Sequence, residues 1–295
     1  MKVSVVIPTY SRRDLLEKNL HFVVEAANDK INNIAEIIVV DDGSTDDSYP
    51  FVKNNYPQVK IVKHKINRGF SAAVNTGVRT AKGELICLIN NDVVPSPDFL
   101  KEVLPHFTDK NVFAVSFNEK GEFGWAKGKF VDGFIEHEAG KKADKPHLTF
   151  WVSGGSGVFR RSTWIELGGM DEKLFSPFYW EDIDLCYRAA KRGLALLWEP
   201  NSLVEHRHES TVGRLPQTYV QRIKERNQLL FLWKNLTSPN LFRKHLWGLL
   251  KRVIKHPGYL RIVIMALLSL RAVLKARAKE IKEAKISDET IFARF

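Results

Sequence analysis

Cysteine is almost missing from this 295-residue chain: only Cys87 and Cys186 occur, both in apolar or helical contexts. Two such residues make neither a disulfide framework nor a thiolate zinc site, and a reducing compartment is the inference. The glycine pattern also excludes functions. No G-x-G-x-x-G follows the first expected strand, and Gly154-Gly155-Ser156-Gly157 lacks that spacing and lies mid-chain, which disfavours a dinucleotide dehydrogenase. No G-x-x-x-x-G-K-S/T occurs, which removes the P-loop NTPases. Long hydrophobic runs are absent. Lys2 is followed by only Val3-Ser4-Val5-Val6-Ile7 before Pro8, too short for the apolar centre of a signal peptide. In the tail, Leu260 to Leu270 falls short of the about 20 residues a bilayer span needs. A cytoplasmic location is the expectation.

What is present is apolar material for a sizeable core: 44% of residues are hydrophobic, enough for one large domain or a domain plus an appendage. The net charge of +11 sits at one end. Residues 215–295 hold 17 Lys and Arg against 5 Asp and Glu, leaving 28 against 29 in residues 1–214. The chain therefore divides, as an expectation, into a near-neutral globular domain (1–214) and a basic helical region (215–295). Such asymmetry points to an anionic partner.

Val3–Ile7, Glu36–Val40, Val59–Val62 and Leu85–Ile89 read as buried strands, separated by helical patterns around Leu15, Leu16, Leu20 and Val23, after Ser44, and over Ser71–Val78. Ser44 is expected to cap the second helix. This β-α rhythm predicts an α/β fold with a doubly wound, mostly parallel sheet. Asn111–Phe117 and Phe150–Arg160 are further strands, with a hairpin or loop excursion over 118–149. Glu136-His137-Glu138 lies in that excursion; alternating faces in a strand, it reads as solvated rather than as a metal cluster. Two strands end in acids, Asp41-Asp42-Gly43-Ser44 and Asn90-Asn91-Asp92. In open α/β sheets ligands bind outside the carboxyl ends of the strands, so these acids stand where chemistry is done.

Val5-Val6-Ile7-Pro8-Thr9-Tyr10, Asp41-Asp42-Gly43-Ser44-Thr45-Asp46, Asn67-x-Gly69-Phe70-x-x-Ala73-x-Asn75-x-Gly77 and Asn90-Asn91-Asp92 occur in that order. Together they resemble a family 2 glycosyltransferase of the GT-A fold, in the branch of rhamnosyl- and galactofuranosyl-type transferases, over roughly residues 1–235. The resemblance implies a nucleotide-sugar donor carrying uracil or thymine (UDP or dTDP), with a carboxylate of Asp41 or Asp42 accepting from the base. Its implied donor contacts are Pro8, Tyr10, Asp41, Asp42, Asn67, Gly69, Asn75, Asn91 and Gly155. It also implies Mg²⁺ or Mn²⁺ on the diphosphate. Position 90 departs from the family's paired acids, leaving Asp92 as the charged ligand, and Mg²⁺ is commonly held by only one or two carboxylates plus substrate oxygens. The resemblance adds His206 as metal partner, with His208 as the alternative, and Arg207 and Arg214 near the phosphates. Phe178-Tyr179-Trp180-Glu181-Asp182-Ile183-Asp184 opens a helix with acids that suit its dipole. Carried over from the family, Asp182 is the catalytic base, with Glu181 and Asp184 orienting the acceptor or the helix.

In the tail, Tyr219–Leu236 reads as a helix. Beyond Pro239, Phe242, Leu246, Leu249, Leu250, Val253 and Ile254 share one helical face, with Lys244, Lys251, Arg252 and Lys255 opposite. This basic amphipathic pattern predicts peripheral attachment to an anionic membrane at its cytoplasmic face. The alternatives are helices packed on the catalytic domain or on a second subunit, giving a homo-oligomer. Nucleic acid is disfavoured, because the cations flank aliphatic runs rather than stacking aromatics. The expected activity is inverting, metal-dependent transfer of a sugar to a glycan or lipid-linked glycan. A sugar-1-phosphate nucleotidyltransferase and a non-catalytic sugar-nucleotide-binding protein are the other readings.

Overall fold

The computed structural model describes residues 1–120, 124–141, 143–207 and 211–295. His208 lies outside the described residues. The chain opens with β1 (Val3–Thr9), α1 (Arg13–Asn28), β2 (Ile34–Asp41), α2 (Ser48–Asn55), β3 (Lys60–Lys63), α3 (Phe70–Thr80) and β4 (Leu85–Ile89). Every residue of β1 and β4 is buried, as apolar runs covered on both faces require. Val3, Val5 and Ile7 pack toward Leu16, Leu20 and Val23 of α1, while Val6 turns to the other face with Ala73, Val74 and Val78 of α3. Alternation along the strand thus sandwiches the sheet between helices.

The middle of the chain adds β5 (Val93–Pro95), β6 (Val112–Glu119), the hairpin β7 (Ala126–Val131) and β8 (Phe134–Ala139), β9 (His147–Leu148), β10 (Ser156–Arg160), α4 (Arg161–Leu167), α5 (Glu181–Lys191) and β11 (Ala195–His206). Among the described residues the main sheet has nine strands, ordered β3-β2-β1-β4-β10-β6-β11-β5, with β9 on β11. β1, β2, β3 and β4 are parallel, and β10 runs antiparallel between β4 and β6, so the sheet is mixed. From β1 the chain goes outward to β2 on one side and later to β4 on the other. That switch point opens a crevice beyond the carboxyl ends of these strands. Asp132-Gly133, with φ of 49° and 89°, makes the tight turn of the β7–β8 hairpin.

Several boundaries differ from expectation. α2 begins at Ser48, not after a Ser44 cap: the Ser44 amide donates to Asp41 Oδ1 (2.7 Å) and its hydroxyl accepts from the Ser11 amide (2.8 Å). The strand expected from Phe150 starts only at Ser156, because Gly154-Gly155 turns back so that the Gly155 carbonyl accepts from the Asn90 amide. β11 runs on past Pro200; the register with β6 slips between Trp198 and Leu203, where a residue without an N–H is tolerated.

The tail forms α6 (Gln217–Asn235), α7 (Pro239–Lys255), α8 (Leu260–Leu267), α9 (Leu270–Glu283) and α10 (Asp288–Phe292). No gap in packing falls at residue 214. Leu229–Leu232 of α6, Leu241, Ile262, Val273 and Ile291 share one core with Phe134, Phe150, Phe175, Trp180 and Tyr187 of the preceding domain. Asp288 accepts from the Tyr187 hydroxyl (2.7 Å) and Lys191 Nζ (2.7 Å), which fastens α10 to α5. The face expected on α7 is also divided. Phe242, Leu249 and Val253 pack inward against this core, and Arg252 lies with them, 3.4 Å from the centre of the Phe134 ring.

Where α3 crosses β1 the approach is close: a Cβ on Gly77 would sit inside the Val6 side chain. Gly77→Ala is expected to lower stability by about 1–3 kcal/mol through overpacking, although alanine is the better helix former. Denaturant melts of the two proteins measure it; equal midpoints would show that Val6 gives way freely.

Candidate active site

A cavity of about 430 Å³ opens at the switch point, within the range for small-ligand sites. Pro8, Thr9 and Tyr10 line it from the end of β1, Asp42 from the end of β2, and Asn90, Asn91 and Asp92 from the end of β4. Asn67, Gly69, Phe70 and Ala73 close a third side at the start of α3, and Pro177, Phe178, Val212, Leu215 and Tyr219 complete it. The Tyr10 ring remains 36% exposed. The Asn91 amide nitrogen donates to Thr9 Oγ1 (2.9 Å), which fixes the β4 loop to the β1 loop.

Asp41 and Asp42 separate in role. Asp41 is fully buried behind the cavity, 3.7 Å from Lys63 Nζ. Asp42 faces the cavity and organises its wall: Oδ1 accepts from the Arg68 amide (3.0 Å) and Oδ2 from the Gly69 amide (2.8 Å), while His64 Nδ1 lies 2.7 Å from Oδ1. Asn67 joins that loop, its Oδ1 accepting from the same Gly69 amide (3.1 Å). Gly69 holds φ of 89°, a backbone that side-chain-bearing residues rarely adopt.

Asp92 is 1% exposed, and its Oδ2 has no hydrogen-bond partner among the described residues. Its Oδ1 lies 3.4 Å from His206 Nε2, and His206 Nδ1 lies 3.1 Å from Glu119 Oε2 at the end of β6. Burial by itself would lower the His206 imidazole. The hydrogen bonds and charges of Asp92 and Glu119 outweigh it and raise the group to about 10. The surroundings therefore favour positive charge beside Asp92. An orphaned buried carboxylate oxygen next to an imidazole is a donor set a divalent cation fits, although among the described residues no three such groups converge on one point. Arg207 and Arg214 turn elsewhere, to Asn19 (2.8 Å) and Asp14 (3.5 Å).

The acids of α5 have three different environments. Asp182 Oδ1 accepts from the Ile183 amide (2.8 Å) and Oδ2 from the Gly154 amide (3.2 Å). Burial raises its carboxyl above the ordinary range despite those N–H groups. It stands just behind the cavity wall: a Cβ on Gly154 would lie 3.4 Å from Asp182 Cβ and 3.2 Å from the ring of Phe70. Glu181 is buried with Oε2 unpartnered among the described residues, and burial together with the Asp182 charge holds it well above the carboxylate range. Asp184 is fully buried in an ion-pair network that ties α5 to α6. Burial alone would raise it, but Lys234 (2.9 Å), Arg188 (2.8 Å) and the Asn235 amide (2.8 Å) bring it below its usual value.

Asn75 and Gly155 do not line the cavity. The Asn75 side chain is occupied by the Met170 backbone, Trp164 Nε1 and Glu172, which ties α3 to the turn after α4. Gly155 is small because the Asn90 side chain fills the space a Cβ would need.

A family model described as glycosyl transferase family 2 matches residues 4–164, more than half of the chain, from the second residue of β1 through β10. This chain belongs to glycosyl transferase family 2. The "Pre-mycofactocin glycosyltransferase" of Mycobacterium tuberculosis is 31% identical to it over 181 residues, covering 59% of this chain and 38% of that protein. The chain thus spans under two-fifths of that relative's length. An "N-acetylglucosaminyl-diphospho-decaprenol L-rhamnosyltransferase" of the same organism is 24% identical over 254 residues, 73% of this chain and 79% of that one. In fold, the family 2 glycosyltransferase is similar to GalNAc-T7, crystallised with UDP, GalNAc and Mn²⁺, at a TM-score of 0.64 with 17% identity over 87% of this chain and 58% of that one.

The glycosyltransferase also carries residues at this site that sequence reasoning missed. Tyr179 and Trp180 adopt φ of 71° and 77°, strained for bulky residues. Asn227 of α6 holds them there, its Nδ2 reaching the carbonyls of Phe175 (3.0 Å), Phe178 (2.9 Å) and Tyr179 (2.9 Å). Glu119 and His64 act on Asp92's partner and on Asp42 in the same way. Asn227 stands among Lys224, Glu225, Arg226 and Gln228, so no local signal in the sequence marks it. Asp184→Asn would leave Arg188 buried without its counter-charge and Lys234 with Asp171 (3.2 Å) alone, a loss of about 3–5 kcal/mol. A marked fall in melting temperature near neutral pH is expected. The stabilisation belongs to the ionised acid, so the gap narrows as pH drops through the depressed Asp184 pKa; equal melting of variant and parent would contradict the network.

Proposed function

We propose that this family 2 glycosyltransferase moves a sugar from a UDP- or dTDP-sugar to a hydroxyl of a glycan or lipid-linked glycan, with inversion at the anomeric carbon. One observation carries the reading: a single cavity joins a nucleotide-sized wall at Pro8, Tyr10 and Asp42 to Asp92 with its unpartnered oxygen, and Asp182 lies outside that lining, next to Gly154 on the Phe70 side. The lipid carrier in the rhamnosyltransferase's name and the UDP and Mn²⁺ bound to GalNAc-T7 lend support.

Asp42, Asn67 and Gly69 form the wall that receives the donor, and Tyr10 offers a face for the base. Asp92 and His206 would hold Mg²⁺ or Mn²⁺, which neutralises charge on a departing diphosphate. Asp182 takes the acceptor's hydroxyl proton. Its raised pKa makes it a stronger base, and the Gly154 and Ile183 amides fix its oxygens. As the acceptor oxygen bonds to the anomeric carbon, the bond to the diphosphate breaks and the nucleoside diphosphate leaves. With one base and no protein nucleophile in use, a single displacement inverts the centre. Burial and the neighbouring Asp182 charge raise Glu181 and favour its protonated form.

Asp182→Asn is expected to keep donor binding and lose turnover by about 10²–10⁴-fold. Glu181→Gln, which copies the protonated acid, should keep most activity. A thermal-shift screen of sugar nucleotides with Mn²⁺ identifies the donor, and nucleoside diphosphate release measures turnover. Activity surviving in Asp182→Asn would remove it as base, and pyrophosphate release from a nucleoside triphosphate would indicate a nucleotidyltransferase. In the wild type, kcat/KM should fall as pH drops through the Asp182 pKa, with a midpoint above the ordinary aspartate range of about 4. A midpoint at or below that range would contradict the raised pKa.

A further inference from the structure

Residues 226–279 contain twelve Lys and Arg and not one Asp or Glu. Eleven of the 21 large hydrophobic side chains exposed among the described residues fall between Leu246 and Ile281. These two facts concern the same three helices. α7 buries Leu241 and His245 and turns Leu246, Trp247, Leu250 and Ile254 outward; Trp247 is 65% exposed and Ile254 71%. α8 buries Ile262 and Ala266 and exposes Leu260, Ile264 and Leu267. α9 exposes Leu270 and Leu274, and at the 71° bend between α8 and α9 stands Leu268, 84% exposed.

Beside the outward stripe of α7 runs a groove of about 970 Å³, between that helix and the β7–β8 turn. Lys244, Lys251, Arg252 and Lys255 line it, against the single acid Asp132. Its base is firmly built. Gly248 lets the Asp132 backbone touch the helix, and His245 donates from Nδ1 to the Gly133 carbonyl (2.7 Å) while accepting from Trp233 Nε1 (2.9 Å). Arg252 is held over the Phe134 ring, which leaves the three lysines along the rim.

We propose that the outward surface of α7, α8 and α9 docks on an anionic phospholipid bilayer, with headgroup phosphates received by the lysines of the α7 groove. Aliphatic side chains beside an unbroken set of cations match an interface in which acyl chains lie beneath phosphates. No single helix among the described residues is long and apolar enough to cross a membrane; α8 and α9 pass that test only together, across their 71° bend, and the exposed aliphatics of α7 beside its lysines favour a surface-lying arrangement. A second copy is the poorer occupant, since pairing this face with itself would set cations against cations. The inference does not depend on the sugar-transfer reading.

Co-sedimentation of the full chain with vesicles of phosphatidylcholine, alone or with phosphatidylglycerol, tests it. Binding to the mixed vesicles, at least tenfold stronger than to the neutral ones and falling steeply with salt, is expected. Lys244→Glu/Lys251→Glu/Lys255→Glu should weaken it tenfold or more, and Leu250→Ser/Ile254→Ser should also weaken it. All five residues are exposed, so melting temperature and donor turnover should stay at wild-type values. If the charge-reversed protein melts early, the salt series on the wild type decides alone. Equal binding to both vesicle types, salt-independent binding, or a dimer abolished by Leu250→Ser/Ile254→Ser would overturn the proposal.

Discussion

Asp92 is a carboxylate taken out of water at the end of a fully buried strand, and the surrounding structure answers to the cost of that position. A buried charge demands a partner of opposite sign. One oxygen has His206, brought there by the unusual length of β11 and backed by Glu119 from β6; the other has no partner among the described residues. Three strands far apart in sequence therefore converge on one acid. The β4 loop carrying it is fixed twice more, by Asn91 to Thr9 and by the Arg207 amide to the Asp92 carbonyl. On the proposed function, a site so arranged would hold a cation weakly alone and better when diphosphate oxygens complete the shell.

The second half of the site depends on the tail. α5 would present its acids differently were the loop before it not pulled into positive φ by Asn227 and its helix not joined to α6 through Asp184 and Lys234. Residues 215–295 thus have two sides with separate duties. The inner side, rich in Leu229–Leu232, shares a core with Phe134, Phe150, Phe175, Trp180 and Tyr187, and the outer side carries the cations and exposed aliphatics.

Much of this was legible in the sequence, for physical reasons. Strands buried on both faces show as uninterrupted apolar runs, so β1, β2 and β4 and their parallel order could be read directly, and with them the place of Asp42 and Asp92. What could not be read was which motif residues face ligand and which face protein. Asn75 belongs to the same motif as Gly69, and Gly155 to the glycine-rich segment before β10, yet both serve packing: Asn75 fastens a turn and Gly155 clears room for Asn90. Glu119 escaped notice because a lone acid at a strand end carries no local signal until β11 is placed beside it. The α7 pattern had an ambiguity of its own. A helical wheel with apolar residues over half its circumference does not say which part is covered, and the core against Phe242, Leu249 and Val253 decided it.

The account rests on Asp92 and His206 forming a cation site that nucleotide completes. Titrating Mn²⁺ against the protein with and without UDP, and following free Mn²⁺ by electron paramagnetic resonance, tests this most directly. Wild-type protein should take up Mn²⁺ tightly only when UDP is present, and Asp92→Asn and His206→Ala should each weaken that uptake by an order of magnitude or more. Uptake by Asp92→Asn equal to the wild type would place the cation elsewhere and contradict the account.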